Sequence, residues 1–284
     1  MNTILPRIHL ADEQLQRLNK SNCGLAVYLS PARVAWSILD LIHHRVVSVS
    51  DFSNEKHASF GSWEEGIRIL DENDFGLHTF GSVKIALGYG KSLLVPGDIF
   101  EEGELKTYLE FGISSSGEPV KDFIATLPAY NVYSIPAGLL EGVRKLFETF
   151  MTVHVSTPFI ETIIRENKHQ RENRMFANLA EDNLHLAAIE QGKFVFYNCY
   201  SIKSKEDFSY YMMAAAEELS FHPEQIIVSL SGDITPDSEN YQTAKRFLKN
   251  LTFADCPKAL KYSAKLDTVP KHLFALLYSI HLCE

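Results

Sequence analysis

Ser229, Ser231, Gly232 and Asp233 stand together at the end of an apolar run, Ile226-Ile-Val-Ser-Leu-Ser-Gly-Asp-Ile234. A hydrolase nucleophile would need the Gly-x-Ser-x-Gly elbow, which surrounds neither serine. A lone Ser-Gly-Asp after a strand is turn chemistry. Gly88-Tyr-Gly-Lys91 has the residue types of a phosphate loop. It lacks both the Gly-x-x-x-x-Gly-Lys-Ser/Thr frame and the helix that must follow, so it is expected to be a hairpin. His43-His44-Arg45 could ligate a metal, but no acid or cysteine sits at ligand spacing; a solvated hairpin turn is the expectation. Cys23, Cys199, Cys256 and Cys283 are scattered, with no Cys-x-x-Cys pair to suggest a disulfide framework or structural zinc. Cys23 and Cys199 fall on predicted strands, where a reduced thiol packs as a small hydrophobe.

The elements that would position such residues follow a repeated order. Alternating and β-branched residues predict strands near 23–30, 33–40 and 45–52. Ser62 with Glu65 reads as a capping box for a helix near 63–73, and Val83 to Gly88 as a buried strand. A strand from Lys91 to Pro96 and a helix from Glu101 to Phe111 follow, then the loop Gly112 to Glu118. Strands are expected at 122–127, 132–135 and 151–156, with helices at 137–150 and 159–170. The first 20 residues show weak helical spacing at Leu10, Leu15 and Leu18. Strands near 174–180, 184–190 and 193–201 then repeat the first triplet about 150 residues on. After them come a helix from Lys205 to Ser220, a strand at 225–230, a helix at 237–250, a strand at 251–253 and a C-terminal helix opened by Pro270. Phe208, Tyr210 and Tyr211 share one predicted helix, where packing accounts for them. Such a repeat predicts two similar domains, here 1–170, with a small insertion near 91–119, and 171–284.

Three antiparallel strands, a helix and further strands, written twice, resemble the α/β, duplicated ribonuclease-H-like core of the actin-like ATPase superfamily. The likeness is to the branch containing the type IV pilus assembly protein PilM and the division protein FtsA, and to an uncharacterised bacterial family of this fold. It covers almost the whole chain. Members bind ATP between their domains through two Asp-x-Gly turns, the Asp ordering magnesium and its water and the Gly admitting backbone N–H groups to phosphate. Aligning Val34 with Leu184 puts Tyr28 and Asn178 at the two Asp positions, and Ser30 and Ala180 at the glycines. The family's adenosine turn corresponds to Ser231, Gly232 and Asp233, with one glycine where two or three are usual. With Arg33 and with Glu181, Asp182 and Asn183 of the second turn, these residues make up the candidate interdomain cleft that the resemblance implies. No catalytic or metal-ligating residue is assigned.

The net charge of −9 excludes an extended nucleic-acid footprint and weakens contact with anionic membranes. The N-terminus has no basic segment leading into an apolar run, and no run of about 18 apolar residues could span a bilayer. A cytoplasmic protein is expected. With both carboxylates and both glycines replaced, the first expectation is a non-catalytic interaction or scaffold module that uses neither ATP nor magnesium and works through a protein partner. The alternative is a nucleotide-binding ATPase or kinase-like enzyme whose acids have moved to Glu181, Asp182 or Asp233. A third is a module that binds a small phosphorylated ligand without turnover.

Overall fold

A computed structural model describes residues 6–53, 62–73, 75, 79–112 and 117–284. In chain order the elements are β1 (Ile8–Ala11), β2 (Cys23–Leu29), β3 (Arg33–Asp40), β4 (Arg45–Ser53), α1 (Trp63–Asp71), β5 (Ser82–Leu87), β6 (Ser92–Pro96), α2 (Leu105–Gly112), β7 (Glu118–Ile124), β8 (Ala129–Ile135), α3 (Leu139–Leu146), β9 (Met151–His154) and α4 (Ser156–Asn167). There follow β10 (Arg174–Ala180), β11 (Asn183–Glu190), β12 (Lys193–Ser201), α5 (Lys205–Glu218), β13 (Ile227–Gly232), α6 (Glu239–Ala244), β14 (Asn250–Phe253), β15 (Lys261–Tyr262) and α7 (Ala275–Ser279).

The chain forms two compact units that are interleaved in sequence. One comprises Met1–Phe159, Ala259–Val269 and Leu277–Glu284, the other Ile160–Lys258 and Pro270–Leu276. This division differs from a single cut near residue 170, because the segment after residue 258 returns to the first unit. From Pro270 on, where one C-terminal helix is expected, 3-10 turns at Lys271–Leu273 and Ile280–Leu282 flank the short α7.

In the first unit a seven-stranded sheet runs in the order β1-β4-β3-β2-β5-β9, with β15 also on β4. β2 and β3 are buried on both faces, which is why they read as near-continuous apolar runs. The odd-numbered residues of β2, Leu25, Val27 and Leu29, pack with Ile69 and Leu70 of α1 and Leu139 and Val143 of α3. On the opposite face the segment 277–283 docks: Ser37 Oγ lies 2.9 Å from His281 Nε2, and Lys84 Nζ donates to the carbonyls of His281 and Cys283. Ile8–Ala11 is a strand, not a helix, because its backbone groups add antiparallel to the edge of β4.

Two local expectations are corrected. Ser62 is the N-cap of α1 but makes no side-chain capping bond; Glu65 is held by Arg68 Nε at 2.9 Å and so cannot close the box. Gly88–Lys91 is not a hairpin either. β5 pairs with β2 and β9, whereas β6 leaves for a separate three-stranded sheet of order β6-β8-β7. That sheet carries α2, whose Leu109 clusters with Val95 and Val132 of the sheet, and it extends the insertion to Ile135. In the loop Gly112 to Glu118, residues 113–116 lie outside the described residues.

The second unit holds a five-stranded sheet, β12-β11-β10-β13-β14. Leu184, Leu186 and Ala188 of β11 and Val228 and Leu230 of β13 bury against Phe208, Met212 and Ala215 of α5. A capping box does form here: Ser204 Oγ accepts from Asp207 N at 3.1 Å, and Asp207 Oδ2 accepts from Ser204 N at 3.0 Å. The strand order matches β4-β3-β2-β5-β9, and so do the directions. Between the first two strands, β2–β3 and β10–β11, register agrees residue for residue at an offset of 150. Tyr28 pairs with Ala35 and Asn178 with His185, and a bulge falls after Ile38 in one sheet and after Ala188 in the other.

Candidate functional site

The β2–β3 turn of the first unit is built by Ser30. Its Oγ accepts from Arg33 N at 3.0 Å and Ala32 N at 3.3 Å, and Ser30 N donates to the Arg33 carbonyl at 2.9 Å. A serine with this bonding fixes a tight turn with its own side chain. Gly88 follows β5 alongside, its N–H donating to Leu29 O at 2.8 Å. A Cβ at residue 88 would lie 2.8 Å from Tyr28 Oη and 3.1 Å from Ser30 Cβ. The phenol and the serine therefore occupy the space over this glycine. Tyr28 and Ser30 are both buried.

Arg33 begins β3 and is buried, with its guanidinium 5.8 Å from the Tyr28 ring centre. Its charge is answered on β4: Nε donates to Asp51 Oδ1 at 2.9 Å and Nη2 to Oδ2 at 3.3 Å. Asp51 is fully buried and also takes Arg7, whose Nε donates to Oδ2 at 2.8 Å. Two guanidiniums on one buried carboxylate form a charge-assisted cluster that fixes Arg33 within the fold.

In the second unit Asn178 lies where Tyr28 lies in the first, buried on β10 with Ser231 Oγ donating to its Oδ1 at 3.0 Å. Its Nδ2 meets no acceptor among the described residues. Gly232 has φ +82°, and a Cβ there would overlap the Leu179 carbonyl oxygen. This approach lets Asp233 N reach Leu179 O at 2.7 Å, as Gly88 N reaches Leu29 O. The turn residue Glu181 is left-handed at φ +57°, Ala180 pairs with Asn183, and Asp182 is exposed. Each unit thus gathers its own candidates: Tyr28, Ser30 and Arg33 in one, and Asn178 to Asn183 with Ser231 to Asp233 in the other. Opposite Asn178, His185 is buried and its pKa is pushed down to about 4 by desolvation; its Nδ1 lies 3.0 Å from Tyr197 Oη.

The other singled-out residues are structural. His43 Nδ1 lies 2.7 Å from Asp40 Oδ2 in a turn where His44 has φ +50°. Cys23 and Cys199 are buried free thiols. Phe208 is in the core, and Tyr211 stacks on Tyr200 at 4.2 Å. Among the described residues no three His, Cys, Asp or Glu side chains converge as a metal site.

Sequence reasoning missed a buried polar cluster in the first unit. Asp122 on β7 accepts from Tyr133 Oη at 2.9 Å, His154 N at 2.7 Å and Thr157 Oγ1 at 2.6 Å. Burial, then the Asp122 charge, raises the Tyr133 pKa well above the usual phenol value. The cluster joins the three-stranded sheet to β9 and α4. Its members lie up to 35 residues apart, so local spacing carries no signal of it.

The comparisons with known proteins agree with this fold. The model of the family described as Protein of unknown function (DUF3822) matches residues 12–251. The chain belongs to this family. No curated protein matches this DUF3822 chain in sequence. Among solved structures, a Bacteroides thetaiotaomicron protein with actin-like ATPase fold and unknown function superposes with a TM-score of 0.74 at 17% identity, covering 93% of this chain and 97% of that one. The PilM–PilN type IV pilus biogenesis complex gives a TM-score of 0.58 at 12% identity over 91% and 97%. This DUF3822 protein therefore has the actin-like ATPase fold. No helix among its described residues is long and apolar enough to cross a membrane.

Proposed function

We propose that this protein is a non-catalytic, cytoplasmic interaction module with an internally duplicated actin-like fold. The observation that carries the reading is the packing of Tyr28 and Ser30 over Gly88. That turn is where the resemblance implies an Asp and a Gly for a nucleotide, and the residues present do not fit the group. A phenol and an amide at positions 28 and 178 supply no carboxylate to order magnesium hydration. Arg33 is engaged by Asp51 inside the fold. Removing a charge-stabilising group of this kind costs roughly 3 kcal/mol or more in an active site. The presence of PilN with PilM in one of the similar structures favours a protein partner for the module.

The test is magnesium–ATP titrated into the purified chain, read by calorimetry and by thermal shift, alongside a phosphate-release assay. We expect no stabilisation and no hydrolysis above buffer. Micromolar binding by the wild-type chain would overturn the reading. Turnover lost on Asp182→Asn would favour the enzyme with displaced acids instead.

A further inference from the structure

One edge of β4 takes two strands laid end to end. β1 pairs antiparallel from Ile8↔Asp51 to Ala11↔Ser48, and β15 pairs parallel at Lys261↔Arg45 and Tyr262↔Val46. Both chains leave this edge side by side, Asp12 N donating to Val47 O at 2.8 Å and Ser263 N to Val46 O at 3.0 Å. Two successive carbonyls can face one edge because the β3–β4 register slips at Val47. Each chain then enters a 3-10 turn, Glu13–Arg17 or Ala264–Thr268, capped by the side chain of Asp12 or Ser263. A hydrogen bond of 2.6 Å from Ser263 Oγ to Asp12 Oδ2 ties the two turns together. Between them, within the first unit, lies a cavity of about 580 Å³.

The chain carries 36 acids and 27 bases, yet three bases, Arg17, Arg45 and Lys265, line this cavity against two acids, Asp12 and Glu13. The acids do not use the bases up. Asp12 is held below the usual carboxylate range first by the Ser263 hydroxyl and then by the Gln14 N–H, with Arg45 and Lys265 contributing less. Arg45 stands 3.8 Å from Asp12 and donates to the neutral Gln14 amide oxygen. The Glu13 side chain is 91% exposed and meets Lys265 at 3.7 Å, a pair that solvent makes worth little. Arg17 is exposed and has no hydrogen bond or ion pair among the described residues.

We propose that this cavity binds a small, soluble sugar phosphate, its phosphate held by Arg17, Arg45 and Lys265. A phosphate monoester brings close to two charges and three strong acceptor oxygens at neutral pH, enough to engage two guanidiniums and an ammonium. A carboxylate offers half the charge. Guanidinium forks match such oxygens in pairs. The volume falls within the range of small-molecule sites, about 300–1,000 Å³, so there is room for the body of the ligand beside its phosphate. Apart from Ala264 the lining is polar, and it contains no aromatic ring. That suits a hydroxylated body better than a nucleobase, which gains most from a ring to stack on. The net charge of −9 opposes approach to an anionic membrane, which favours a soluble ester over a lipid headgroup. The inference does not rest on the β2–β3 turn, since a nucleotide held there would not depend on Arg17.

Isothermal titration of the full chain with glucose-6-phosphate, ribose-5-phosphate and glycerol-3-phosphate tests this. Saturable binding of at least one ester is expected, with inorganic phosphate and AMP weaker by about tenfold or more and glucose silent. Arg17→Gln and Lys265→Gln should each weaken the ester about tenfold or more. Glu13→Gln, which releases Lys265, should tighten it about two- to fivefold, a gain that a purely structural role for these residues would not produce. All three residues are exposed, and the variants should melt with the wild type. No saturable binding by any of the three esters overturns the proposal, as does binding that none of the variants moves. Binding only to vesicles carrying phosphatidylinositol phosphate would overturn it too, because the ligand would then be a headgroup.

Discussion

Arg33 would be the natural phosphate ligand of the β2–β3 turn, and its replacement separates a ligand-binding role from a structural one. Asp51 is fully buried and accepts from Arg33 Nε and Nη2 at 2.9 and 3.3 Å, from Arg7 Nε at 2.8 Å and from Arg7 Nη2. Arg33→Met keeps the aliphatic stem and removes both of its bonds. Leaving one partner of a buried pair without the other costs about 3–5 kcal/mol. Arg7 stays on the carboxylate, which puts the expected loss near the low end, about 3 kcal/mol. For a unit of this size that lowers the melting temperature by about 6–12 °C. Urea unfolding followed by tryptophan fluorescence measures it directly, since Trp36 packs in this core. The double variant Arg33→Met with Asp51→Leu removes the stranded charge and should recover most of the loss, because a buried pair exchanged for apolar groups is near neutral. A single variant within about 1 kcal/mol of wild type would refute the argument and return Arg33 to the pool of ligand-binding candidates.

Gly232→Ala combines a left-handed φ with overlap on the Leu179 carbonyl and should cost about 2 kcal/mol or more. Gly90→Ala, also at positive φ but with open space around it, should cost only about 1 kcal/mol; equal urea midpoints would show that the close approach at Gly232 is unimportant. His185 is held neutral by burial, with a pKa of about 4 against about 6.5 unfolded. Its contribution is complete above the unfolded value and is lost as pH falls toward the folded one. Between pH 7.5 and 5 the wild type should lose about 2 kcal/mol more than His185→Leu, and parallel pH profiles of the two in urea melts would contradict this.

The two strand triplets were legible because buried strands are written as unbroken apolar runs, and a 150-residue offset holds in the register of their first two strands. At the same offset Tyr28 and Asn178 hold matching register positions on β2 and β10. What Arg33 does was not legible. Its partner Asp51 is 18 residues away, and Arg7 is 44 residues from that acid, separations at which spacing says nothing. The insertion was misjudged for a related reason. Gly88 to Lys91 has hairpin residues, but β6 finds β8, some 40 residues on, a better partner than β5. The helix expected after Pro270 forms only as α7, with 3-10 turns on either side, because its apolar residues are divided between two units, whereas periodicity assumes one continuous face.

The return of residues 259–269 and 277–284 to the first unit bears on how the protein is made. When residue 159 has been synthesised, that unit still lacks its Ser263 hydroxyl for Asp12 and the carbonyl acceptors of Lys84. The ribosome must add residues 160–258, the bulk of the second unit, before any of these groups exists, and reaching Cys283 takes about 6–25 s at ~5–20 residues per second. For that interval the underside of β2 and β5 is uncovered in the nascent chain. The first unit to be translated is therefore the last to be finished.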